Sequence, residues 1–78
     1  MMNEQPKMDM APINGRIREL GMTQSDFAKK DGRSLVQVRK ILTGESRMSW
    51  DTIMKWSSIL NAEVGSPEWY HLFFTTKS

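Results

Sequence analysis

The residues able to do chemistry gather between Ser34 and Thr43. At about 100° per residue, a helix over this stretch sets Leu35, Val38, Ile41 and Leu42 within one arc of roughly 120°. Val36, Arg39, Lys40 and Thr43 then lie opposite that arc, with Gln37 on the flank. The outward side holds two cations, a hydroxyl and an apolar group, with an amide beside them. Such groups suit base-pair edges in a major groove. Arg or Lys bonds guanine O6 and N7, Gln suits adenine, and an apolar group touches the thymine methyl, each good contact discriminating by about 1–3 kcal/mol. Other chemistries lack their parts. Without cysteine there is neither a disulfide nor a thiolate metal site. His71 is the one histidine and has no acidic partner in a catalytic array. There is no Gly-rich phosphate loop and no pair of carboxylates in a catalytic context. An enzyme, a bound metal and a cofactor are therefore not expected.

The charge distribution points the same way. Of a net +2, residues 28–48 carry +4, from Lys29, Lys30, Arg33, Arg39, Lys40 and Arg47 against Asp31 and Glu45. Residues 1–27 and 49–78 each carry −1. A localised positive field attracts polyanions, of which nucleic acid is the usual one. The plainer reading is a solvated helix face, and it applies most directly to Lys29 and Lys30.

These residues must be positioned by a small all-α domain. A chain of 78 residues makes one domain and buries only about 60–65% of its unfolded surface. No apolar run is long enough to span a membrane. Met1–Met10 carries Glu4, Lys7 and Asp9 and no apolar core, so a signal peptide is not expected, and a cytoplasmic setting is. Residues 1–8 read as a flexible arm, 9–64 as the helical domain and 65–78 as an aromatic C-terminal segment. The first helix runs from about Pro12 to Leu20, with Ile13, Ile17 and Leu20 on one face and Gly21 ending it. Thr23 caps the second, with Asp26 as the reciprocal partner of a capping box and Met22 and Phe27 as a hydrophobic staple. Gly32 makes the turn, Ser34 caps the third helix, and Gly44 ends it. Ser49 starts the fourth, whose buried stripe is expected at Trp50, Ile53, Trp56 and Leu60, ending near Asn61. Ser66, Pro67 and Glu68 open a short fifth helix in preference to a strand.

Two short helices joined through Asp31, Gly32 and Arg33 match the helix-turn-helix unit. From Thr23-Gln24 through Phe27-Ala28, the turn Gly32 and the cap Ser34, the chain resembles the lambda-repressor/Cro-like (XRE) family. Val38, Ile41, Gly44 and the helix start Ser49-Trp50-Asp51-Thr52-Ile53 extend the resemblance, which covers about residues 12–64. It departs from the family at Asp31 and Arg33, where apolar residues are usual, and at Leu35 and Val36, where polar ones are. Leu35 is expected to replace packing lost at Arg33. The resemblance implies a compact bundle of four to five helices that binds double-stranded DNA. It implies backbone-phosphate contacts from Gln24 and Ser34, and places Val36 and Lys40 where side chains commonly face bases. Arg39 suits a base or a phosphate, and Arg47, just past the third helix, a phosphate.

One such module covers a short stretch of duplex, so a homodimer reading half-sites about 34–36 Å apart is expected. Trp69, Tyr70, Leu72, Phe73 and Phe74 put five large apolar groups within six residues, more than two helical turns bury in one small core. They are the expected dimer interface. The function expected is a prokaryotic or phage transcriptional regulator, most simply a repressor of a palindromic operator. The alternative is a protein-interaction module on the same fold, an antitoxin of a toxin–antitoxin pair or a phage factor holding a host protein. A structural phage component is a third reading.

Overall fold

Local sequence decides where each helix begins. The computed structural model describes residues 8–76, with five helices: α1 Ala11–Glu19, α2 Gln24–Asp31, α3 Leu35–Leu42, α4 Trp50–Ile59 and α5 Pro67–Phe74. Four of them start at a Ser or Thr whose hydroxyl accepts a backbone N–H three residues on: Thr23 from Asp26, Ser34 from Gln37, Ser49 from Thr52 and Ser66 from Trp69. At α2 and α3 the bond is reciprocated, Asp26 and Gln37 each accepting the cap residue's own N–H. Gly32 closes α2 at φ 87°, a left-handed conformation that a side chain would strain. Among the described residues no strand forms. A single antiparallel bridge joins Met8 to Thr76, with the Asp9 N–H donating to the Thr75 carbonyl at 2.7 Å. The arm expected over residues 1–8 lies outside the described residues apart from Met8.

The core is shared by all five helices. Ile13 and Ile17 of α1, Phe27 of α2, Val38 of α3, Trp56 of α4 and Phe73 of α5 are fully buried, as is Leu60 just past α4. The Phe27 and Trp56 rings meet edge to face at 4.7 Å. α2 packs against both α3 and α4, and α5 packs against α1. Arg16 ties the ends together: its Nε donates to the Leu60 carbonyl at 3.0 Å, and its two Nη atoms lie 3.3 Å from Glu19 and Glu68. Among the described residues no helix is long and apolar enough to cross a membrane.

Two sequence expectations need correcting. Trp50 is not in the core; it is 58% exposed. It stands at the first position of α4, on the edge of the buried arc. The seats nearest that arc go instead to Thr52 and Ser57, both buried and hydrogen-bonded. Nor do the five C-terminal apolar residues form one surface. Trp69, Leu72 and Phe73 recur at helical spacing and are buried in the chain's own core. They cannot line a dimer interface. Tyr70 and Phe74, one turn apart on the other side of α5, remain 55% and 46% exposed.

Candidate nucleic-acid interface

The outward side of α3 is open. Val36 is 65% exposed, and Gln37, Arg39, Lys40 and Thr43 are exposed beside it. Leu35 is half-buried against the core, as its place on the wheel requires. Around the helix, Arg39 falls on the edge toward α2, while Gln37 and Lys40 fall on the edge toward the start of α4. Val36 and Thr43 lie between.

The two edges are held differently. Toward α2, Arg39 Nε donates to Gln24 Oε1 at 3.1 Å. Gln24 Nε2 in turn reaches Asn14 Oδ1 at 3.4 Å, and Asn14 Nδ2 donates to the carbonyls of Met10 and Leu42 at 2.9 and 3.3 Å. Two side chains, Asn14 of α1 and Gln24 of α2, thus hold Arg39 at Nε, and its two Nη groups have no hydrogen-bond partner among the described residues. Gln24 is half-buried. Sequence spacing placed Gln24 and Arg39 separately; their pairing arises only from the packing of α2 on α3.

Toward α4 lies an open cleft of about 430 Å³, whose polar lining includes Arg33, Lys40 and Arg47 together with Ser46, Ser49 and Thr52. Arg33 does not dangle there. Its Nη2 donates to the buried Thr52 hydroxyl at 2.7 Å, and its Nε lies 3.4 Å from Asp31 Oδ2. Asp31 is wholly buried. Its Oδ1 accepts from Trp56 Nε1 at 3.0 Å and has Lys55 Nζ at 3.7 Å, while Lys55 also donates to the Asp31 carbonyl. Oδ2 takes no well-aligned hydrogen bond; Arg33 meets it as a charge. The departures expected to loosen the turn are therefore one buried polar knot. An isolated carboxylate would be too costly to bury, and this one has an indole N–H and two cations around it.

The remaining site residues divide. Ser34 is exposed, with its hydroxyl already accepting from Gln37 N–H at 3.2 Å. Gln37 Oε1 is committed to Ser34 N–H at 3.4 Å, leaving Nε2 as its outward group. Thr43 turns its hydroxyl back to the Arg39 carbonyl at 2.9 Å, so it presents its methyl. Arg47 is exposed in the segment between α3 and α4. At the start of α2, Thr23 N–H and then the Thr23 hydroxyl hold the Asp26 carboxyl below the usual carboxylate range. Among the described residues no three His, Asp or Glu side chains gather to hold a metal. His71 is exposed, its ring facing the Thr75 hydroxyl. Sequence reasoning missed Arg33, Asp31 and Asn14 as members of this region. The signal available was the pair of opposite charges at Asp31 and Arg33, two residues apart across the turn.

Comparison with protein-family models, with curated proteins and with solved structures gives no match.

Proposed function

We propose that the chain is a helix-turn-helix DNA-binding regulator, similar to the lambda-repressor/Cro-like family, that lays α3 in the major groove. The observation that carries this reading is the outward side of α3: unobstructed, cationic, and bounded by Arg39 on one edge and by Arg33, Lys40 and Arg47 on the other. Base-edge contacts fall to Val36, Gln37, Lys40 and the methyl of Thr43. Phosphate contacts fall to Ser34, Arg47 and the α2 start at Gln24. Arg39, its Nε held by Gln24, offers two Nη donors to a base or a phosphate. A repressor acting by occupancy needs two such modules on a two-fold axis. With Trp69, Leu72 and Phe73 enclosed, the contact between copies falls to the exposed rings of Trp50, Tyr70 and Phe74, which pack around Trp69 at 5.1–6.2 Å.

The test is binding of labelled duplexes at rising salt. A chain neutralising several phosphates loses affinity steeply, with log K falling linearly in log salt. Lys40→Ala relaxes preference at one base pair per half-site, and Arg47→Ala weakens all sequences alike. One observation favours the second reading, a protein-interaction module such as an antitoxin: Val36, the most exposed large apolar side chain among the described residues, sits at the centre of the face. Binding of a protein partner through Val36 would barely change with salt.

A further inference from the structure

Arg33 is an unusual member of its surroundings. Just past the α2 turn it is a guanidinium held at two atoms. Thr52, buried on α4, fixes Nη2, and Asp31, buried on α2, faces Nε. An arginine that served only to neutralise Asp31 would have no need of the cleft. Lys55 and the Trp56 indole already attend that carboxylate. Arg33 instead forms part of the cleft wall, and its Nη1 has no hydrogen-bond partner among the described residues. Lys40 and Arg47 line the same cleft, with the Ser46 and Ser49 side chains between. Among the described residues no carboxylate lines it.

We propose that this cleft is a seat for a single phosphoryl group, built around Arg33 and completed by Arg47. A guanidinium suits the role because its planar fork matches phosphate oxygens in pairs, and the clamp removes rotamer freedom that binding would otherwise have to freeze. Asp31 is thereby a positioning residue: it sits behind Arg33, away from the occupant, and aims it. The phosphoryl group comes either from the backbone of a duplex lying on α3 or from a small free phosphate. The duplex source rests on the function proposed above; the seat itself does not.

The experiment follows the Arg33 Nε–Hε resonance of the whole chain during titration with inorganic phosphate, against sodium chloride at matched ionic strength. The expected result is a saturable displacement with phosphate alone, much reduced in Arg47→Ala, whose exposed side chain leaves the fold intact. Equal, non-saturating drift in the two salts overturns the seat. A second arm measures the salt dependence of duplex binding by wild type, Arg47→Ala and Arg33→Met. Where phosphate saturates the seat, a slope shallower by about 1 in Arg33→Met assigns the occupant to the DNA backbone. If Arg33→Met does not fold, Arg47→Ala gives the same reading. An unchanged slope in both variants assigns the seat to a free phosphate. No duplex binding by the wild type sinks the DNA reading while the seat stands.

Discussion

Two tryptophans of this chain are buried with their indole N–H groups satisfied, and they are satisfied in opposite ways. Trp56 donates to the Asp31 carboxylate, which also draws in Arg33 and Lys55. Trp69 donates at 2.7 Å to the neutral Ser57 hydroxyl, which in turn donates to the Ile53 carbonyl of the same helix at 2.6 Å. The Ser57 corner is self-contained and closes the core beneath α5. The Asp31 corner spends charge in the interior and thereby fixes cations at the surface, next to α3. Elements that only close a core need neutral partners; an element that must hold a charged surface group in one place has reason to bury its counter-charge.

The largest effect is expected at the charged corner. Asp31→Ala leaves the Trp56 N–H without a partner and leaves Arg33 held by Thr52 alone. Chemical denaturation should show a loss of about 3 kcal/mol, the low end for breaking a buried pair, because Arg33 and Lys55 both reach water. The double change Asp31→Leu with Arg33→Met should recover most of that stability, since apolar replacement of a buried pair is often neutral. If the double variant is no better than the single, the corner is indispensable to the fold rather than to the surface. Ser57→Ala should cost less, about 1–2 kcal/mol by the same measurement, because one neutral hydrogen bond is lost and one indole N–H stranded.

The smallest effect is at the exposed cap of α2. The Asp26 carboxyl titrates below its ordinary value of 3.8, so it binds protons more weakly folded than unfolded. Its contribution is complete above that ordinary value and disappears as pH falls through the lowered one. Melting curves of wild type and Asp26→Asn should therefore differ slightly at pH 7 and converge in strong acid. A difference that persists in acid would place the cap's value in shape rather than charge.

The same contrast explains what could be read from the sequence. Helix starts were legible because a cap is local: Thr23 with Asp26, Ser34 with Gln37 and Ser49 with Thr52 lie three residues apart. The exposed side of α3 was legible because the period of Leu35, Val38, Ile41 and Leu42 decides it. Trp50 was misplaced because apolar periodicity ranks a tryptophan above a threonine or serine. In the packed chain, Thr52 and Ser57 take the inner seats, as partners for Arg33 and Trp69 from other elements. The Asp31 knot was illegible for the same reason, since it joins residues 25 positions apart. The aromatic tail was half legible: five apolar residues do exceed what α5 buries, but only burial separates Trp69, Leu72 and Phe73 from Tyr70 and Phe74.

In the function proposed, the open side of α3 meets DNA. Backbone amide spectra of the isotopically labelled chain, titrated with a duplex at low salt, test it residue by residue. The expected shifts concentrate at Ser34, Val36, Gln37, Lys40, Thr43 and Arg47 and fade as salt rises. Shifts centred on Trp50, Tyr70 and Phe74, or none anywhere along α3 with every duplex offered, would contradict it.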